Sequence, residues 1–98
     1  MKIKFQKNGT VLTIVLKGRL DTNSSPKLDN TLRAELSGVT ELIFDMKNLD
    51  YISSAGLRVL LAAQKIMNGQ GIMIVRDVNP MVMEIFEVTG FDSILTIE

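Results

Sequence analysis

Asp45-Met46-Lys47-Asn48-Leu49-Asp50-Tyr51-Ile52-Ser53-Ser54-Ala55-Gly56-Leu57 is the stretch on which the reading of this chain turns. Immediately before it, Leu42-Ile43-Phe44 is a continuous apolar run, the pattern of a strand covered on both faces. After it, Val59, Leu60, Ala63, Ile66 and Met67 recur at helical spacing, and Asn68, Gly69 and Gly71 then break the pattern. The segment therefore reads as a buried strand ending at Asp45, a loop over 45–53, and a helix from about Ser54 to Met67. In open α/β sheets, sites lie at the carboxyl ends of strands. Two hydroxyls stand here at a helix mouth, where unpaired backbone N–H groups and a positive macrodipole accommodate an anion such as a phosphate.

Reading outward, Ile3 and Phe5 alternate with Lys2, Lys4 and Gln6 as in a half-buried strand. Asn8-Gly9 marks a tight hairpin turn into a β-branched second strand, Val11 to Leu16, which Gly18 and Asp21 end. Ser25-Pro26 marks a helix start. Leu28, Leu32 and Leu36 then form one apolar stripe, closed by Gly38. Toward the C-terminus, Ile72 to Val75 reads as a strand. Asn79-Pro80 opens a third helix with Val82, Ile85 and Phe86 on its buried side, Gly90 closes it, and Ile94 to Ile97 reads as a last short strand. The order β-β-α-β-α-β-α-β predicts an α/β fold: a mostly parallel, mixed sheet of about five strands with an antiparallel edge hairpin and packed helices.

Ninety-eight residues, 46 % of them hydrophobic, are enough for one domain over 1–98 with an ordinary core. Eleven basic residues balance eleven acidic ones, which gives no electrostatic case for nucleic acid or an anionic membrane, though a local patch can hide in a neutral total. Cysteine and histidine are both absent, so neither a Ser-His-Asp triad nor a zinc site with Cys or His ligands can be built. No catalytic residue, metal or cofactor is implied. The carboxylates, lysines, Tyr51 and hydroxyls that remain form no recognisable catalytic constellation. With no signal peptide pattern and no membrane-spanning stretch, the chain is expected to be cytoplasmic.

The central segment resembles the STAS family, and specifically the bacterial anti-sigma factor antagonists. There, a strand ending in Asp leads to an apolar pair, then Asp-Ser-Ser/Thr-Gly-Leu, and the first hydroxyl after the second Asp is phosphorylated. Asp45 matches the strand-end Asp, Tyr51-Ile52 the apolar pair and Gly56-Leu57 the Gly-Leu. Ser53 stands where the family has Asp, Ser54 falls on the phosphorylated serine, and Ala55 replaces the following Ser/Thr. Gly18-Arg19-Leu20-Asp21 and Val88-Thr89-Gly90-Phe91 also resemble family segments, in the right order.

The resemblance implies a protein that is a substrate and a binder, not an enzyme. When unphosphorylated it would bind an anti-sigma factor that is also a serine kinase and release a sigma factor. Phosphorylation at Ser54 (alternatively Ser53) would switch it off, and a PP2C-type phosphatase would reset it. The free protein is expected to be a monomer. The alternative is a STAS scaffold subunit in a stressosome-like or lipid-transport assembly, not acting on sigma factors.

The residues also have plainer readings. Ser54 or Ser53 could simply cap the helix. Asp21 could only end a strand, and Asp45 could only bond its loop. Met46, Met67, Met73, Met81 and Met83 could form an adaptable surface, though methionine more often fills core gaps, the reading preferred for Met73 and Met83. From Ser54, steps of four, three and four place Arg58, Leu61 and Lys65 on one helical face. An apolar residue flanked by charges suits a partner, unless a wide core face covers Leu61. The expected partner surface is thus Asp21, Ser53, Ser54, Gly56, Arg58, Leu61 and Lys65.

Overall fold

A computed structural model describes residues 1–98. Strands β1 (Lys2–Asn8) and β2 (Val11–Leu20) form the expected antiparallel hairpin, with Asn8 opposite Val11 across Gly9-Thr10. Helix α1 (Ser25–Glu35), strand β3 (Glu41–Ile52), helix α2 (Ser54–Asn68), strand β4 (Ile72–Arg76) and helix α3 (Pro80–Thr89) follow. The sheet order is β1-β2-β3-β4, with β2, β3 and β4 parallel.

Two right-handed crossovers that step in the same direction place α1 and α2 on the same face of the sheet, and the two helices pack on one another. The buried side is one apolar cluster. Leu12, Ile14 and Leu16 of β2 share it with Leu28 and Leu32 of α1, Leu57, Leu60, Ala63 and Met67 of α2, and Val82 and Phe86 of α3. Met46, Met67 and Met73 belong to this core, Met83 packs at its margin, and Met81 is exposed. The other face bears no such layer: Val11, Thr13 and Val15 of β2 are half-buried and alternate with fully buried leucine and isoleucine.

Four sequence expectations are corrected. First, the loop expected over 45–53 is strand. β3 continues past Asp45 to Ile52, pairing with β2 through register shifts that absorb Met46-Lys47 and Asp50. Second, β2 does not end at Leu16. Gly18, at φ +107°, takes up the irregularity and pairing continues to Leu20 opposite Ile52. Third, Ile43 is buried without a helix above it, shielded by the flanking strands rather than by a second layer. Fourth, the fifth strand shrinks to a single parallel bridge between Val75 and Ile97. Phe91–Ser93 coil into a 3₁₀ turn, so only the Thr96 carbonyl and the Glu98 amide reach Val75.

Candidate functional site

The carboxyl ends of β2 and β3 lie side by side, and the chain leaves each of them into a helix. The Ser53 amide donates to the Leu20 carbonyl at 2.9 Å, which ties the mouth of α2 to the end of β2. Gly56 makes this closeness possible. A Cβ there would lie 2.8 Å from Ile52 Cγ1 and 2.9 Å from both Leu20 Cγ and the Leu20 carbonyl oxygen. Gly56 is buried, so it acts at this site by letting α2 approach the strand ends, not by offering a surface.

The two serines differ in what engages them. Ser53 is the helix cap: its backbone is extended and its hydroxyl accepts from the Gly56 amide at 3.4 Å. Ser54 is the first residue of α2, exposed, and no hydrogen bond within the chain engages its hydroxyl.

Beside them, Asp21 organises the start of α1. Its carboxylate accepts from the Ser24 amide at 3.1 Å, the Asn23 amide at 3.0 Å and the Ser24 hydroxyl at 3.2 Å. The single Ser24 hydroxyl proton is shared between that carboxylate and the Arg19 carbonyl at 2.7 Å, and the same hydroxyl accepts from the Asp21 amide. The Ser24 amide above all, with Asn23, the Ser24 hydroxyl and the nearby Arg19 charge, holds the Asp21 carboxyl below its usual value against a smaller opposing effect of desolvation. The residue before α1 is therefore Ser24, not Ser25, and Ser25 is buried.

Arg58 and Lys65 are exposed and Leu61 is half-buried on the helix face that begins at Ser54. Neither cation has a carboxylate partner, whereas Arg33 on α1 is held by Asp29 at 2.9 Å. Arg58, Ala55, Val59 and Ala62 line one wall of an open groove whose other wall is α1, with Ser25, Asp29 and Arg33. Ile66, expected among the packing residues of α2, is 43 % exposed.

The structure thus brings Asp21, Ser53, Ser54, Gly56 and Arg58 to one end of the sheet, with Leu61 and Lys65 following along α2. Asp45 is not among them. It lies seven residues upstream of Ile52, about 20 Å at strand rise, with its carboxylate on the Lys47 amide at 3.0 Å. None of the grooves joins Asp21, Asp45 and Ser54.

Two contacts at this end, Arg19 with Tyr51 and the Asn79 side chain with the Leu49 carbonyl, carry no sequence signal. The Arg19 guanidinium stacks 4.4 Å from the centre of the Tyr51 ring, because the shifted register places them side by side. Asn79 caps α3 through its oxygen, which accepts from the Val82 amide at 2.9 Å. Its side-chain nitrogen donates to the Leu49 carbonyl, fastening α3 to the half of β3 that β4 does not reach. No helix is long and apolar enough to cross a membrane.

Similar proteins match nearly the whole of this chain. The protein named "Putative anti-sigma factor antagonist BtrV" from Bordetella bronchiseptica is 36 % identical over 99 residues, covering 99 % of this chain and 85 % of that protein. The anti-sigma F factor antagonist of Paenibacillus polymyxa is 29 % identical, covering 99 % and 86 %. Among solved structures, the anti-sigma factor antagonist SpoIIAA superposes in its unphosphorylated form with a TM-score of 0.79 at 17 % identity, covering 99 % of this chain and 87 % of that one. The phosphorylated form from Bacillus gives 0.78 at 17 % identity, covering 99 % and 91 %. The STAS domain description matches residues 2–98. With the hairpin, the parallel strands and the helix mouth all in place along that span, this chain belongs to the STAS domain family.

Proposed function

We propose that this protein is an anti-sigma factor antagonist whose switch is the hydroxyl of Ser54. Unphosphorylated, it binds an anti-sigma factor that is also a serine kinase, so that a sigma factor is released. Phosphorylated, it lets go, and a PP2C-type phosphatase restores it. The observation that carries this reading is the division of labour between the serines. Ser53 is occupied in capping α2, while Ser54 offers an exposed, unengaged hydroxyl one residue later. The named roles of the relatives support the same reading. It is the role of a regulated binder in the cytoplasm.

The physics of the switch is local. A phosphate brings about −1.5 to −2 charges at neutral pH. The unpaired amides of the first turn of α2 can accommodate it within the chain. A partner pressed against the same turn would instead have to desolvate it. Moving from mostly bound to mostly free takes a few kcal/mol, since each ~1.4 kcal/mol is tenfold in affinity. The face from Ser54 through Arg58 and Leu61 to Lys65, with Asp21 beside it, is the proposed contact surface.

The test begins with a pull-down from the native cytosol, read for an associated kinase. Calorimetric titration of that kinase against wild type, Ser54→Ala and Ser54→Asp follows. Ser54→Ala is expected to bind nearly as well as wild type, and Ser54→Asp at least tenfold more weakly, with both variants folded. Equal affinity of all three would refute a charge-based switch at this position.

A further inference from the structure

Arg19 and Tyr51 stand near the ends of neighbouring strands, and neither takes part in the cap or the proposed switch. The register shift after Gly18 passes over Asp50 and sets Arg19 of β2 beside Tyr51 of β3. The guanidinium lies 4.4 Å from the ring centre. Its Nε is 4.0 Å from Asp21 Oδ2, too long for a hydrogen bond, and no acceptor within the chain engages its five N–H groups. The side chain is nonetheless 62 % exposed. Arg19 is thus held against a ring face while its donor edges stay open. An arginine stacked in this way keeps its planar fork free, the shape that receives a carboxylate through two parallel N–H···O bonds. Holding it so in the free protein removes part of the entropy cost of ordering a long side chain on binding.

The surroundings have the same sign. Arg19 and Lys27, from the first turn of α1, line one open depression of about 450 Å³ with Asp21, Asn23 and Ser24. The Leu20 carbonyl that receives the Ser53 amide lies between Arg19 and Asp21 in the chain, so this depression adjoins the mouth of α2. Arg58 and Lys65 continue along α2, exposed. The acids nearby are Asp21, Asp29 and Asp50. Asp21 commits Oδ1 to the Asn23 and Ser24 amides, and Asp29 is paired with Arg33. Asp50 is exposed and forms no ion pair, and Lys27, Arg58 and Lys65 have no carboxylate partner. This end of the molecule therefore presents cations without counter-ions, one of them already fixed in place.

We propose that Arg19, laid on Tyr51, anchors the partner interface by taking a glutamate or aspartate side chain from an acidic surface of the anti-sigma factor. The inference rests on the switch reading for the identity of the partner and adds the chemistry of the partner's surface. Lys27, Arg58 and Lys65 supply a positive field that steers an acidic surface toward the anchor. The same field gives the switch its sign: about −1.5 to −2 charges on Ser54 offset roughly half of these four cations and repel the acidic surface. Tyr51 acts through Arg19 and is a positioning residue.

Two probes test this. The first needs no kinase: tetraglutamate is titrated into the whole chain in about 20 mM NaCl, and the Arg19 Nε–H signal is followed by NMR, with tetralysine as the control. The signal should move and saturate with tetraglutamate, stay still with tetralysine, and need at least about threefold more peptide in about 0.3 M NaCl. The second is calorimetric titration with the kinase captured to test the switch. Arg19→Glu should bind it at least about tenfold more weakly, and Arg19→Lys at least about threefold, because lysine keeps the charge and loses the fork. Tyr51→Leu should weaken binding in the wild-type background and add nothing to Arg19→Glu, the mark of a residue that acts through another. Thermal melts check that each variant folds.

An Arg19 signal that tetraglutamate leaves in place overturns the proposal whatever the kinase does. Kinase binding unchanged by Arg19→Glu overturns it too, and if Ser54→Asp still weakens that binding, the switch stands and this inference alone falls. Weakening by Arg19→Glu while Ser54→Asp binds like wild type keeps the acidic docking surface and removes the switch. Adhesion to phosphatidylserine vesicles that Arg19→Glu abolishes, with no response to tetraglutamate, gives this end of the molecule to a membrane and overturns the proposal.

Discussion

Replacing Ser53 and Ser54 one at a time by alanine separates capping from the proposed modification, because within the fold only the Ser53 hydroxyl is engaged. Ser53→Ala removes the acceptor for the Gly56 amide. A lost serine cap costs about 0.5–2 kcal/mol. The bond here is long, at 3.4 Å, so the lower half of that range applies, about 0.5–1 kcal/mol. For a domain of this size that lowers Tm by roughly 2–8 °C. Ser54→Ala removes no hydrogen bond from an exposed first-turn position and should stay within about 0.5 kcal/mol of wild type. Urea unfolding and thermal melts read the stabilities, and mass spectrometry after reaction with the kinase reads the phosphate. Ser53→Ala should be modified and melt lower, while Ser54→Ala should melt like wild type and stay unmodified. The reverse pattern, with Ser54→Ala the less stable or Ser53 the modified residue, would refute the assignment of cap and switch.

Three further substitutions test the surroundings of the helix mouth. Gly56→Ala should destabilise the chain by a net ~1 kcal/mol and so lower the urea midpoint. Crowding against Ile52 and the Leu20 backbone costs about 1–3 kcal/mol, partly offset by the better helix propensity of alanine, and an unchanged or raised midpoint would show that the approach is loose. Leu61→Asp should fold, with a loss of no more than about 1.5 kcal/mol since the leucine is only half-buried, yet weaken kinase binding in calorimetry; outright unfolding would make Leu61 core. Asp21→Asn should flatten part of the acid limb of stability. Because Asp21 titrates lower in the folded chain than its ordinary 3.8, the unfolded chain binds more protons between those two values, so wild-type stability rises with pH there and is lost as pH falls through the folded pKa. Acid titrations that superpose for the two proteins would remove Asp21 from that role.

The element order was legible because each boundary has a local cause: Asn8-Gly9 for the hairpin, Asn79-Pro80 for the start of α3, and the Leu28/Leu32/Leu36 stripe for the face α1 buries. What was not legible depends on partners distant in sequence. Lys47 and Asn48 look like loop residues, and only the continuing bonds from β2 hold them in β3. Ile94 to Ile97 has β-branched residues at both ends, but Val75 is the only group near enough to pair with it. Ile43 looked doubly covered because an apolar residue in a central parallel strand usually is; the neighbouring strands bury it instead. At the site, the helix mouth and its hydroxyls were readable. Which serine caps was not, since either can, and the choice follows from the Ser53 amide being anchored to Leu20.

That anchoring also explains why Ser53 can stand where the family has Asp. An N-cap must accept from an amide of the first turn, and serine does so as well as aspartate. What serine lacks is the charge. With Asp at the cap, a phosphate on the next residue would sit against a second anion, and the two would compete for the same first-turn amides. With Ser53, the cap is neutral. The carboxylate on the adjoining strand end is Asp21, which is already committed to the Asn23 and Ser24 amides of a different helix. The amides at the mouth of α2 beyond the one Ser53 holds would therefore be left for the proposed phosphate, and Arg58, one turn along and without a carboxylate partner, adds a positive charge to the same face. Ala55 removes a hydroxyl from that turn and leaves Ser54 as the single outward one. On the proposed reading, the two departures from the family pattern thus keep the cap, lower the negative charge around the switch residue and leave Ser54 as the hydroxyl for the phosphate.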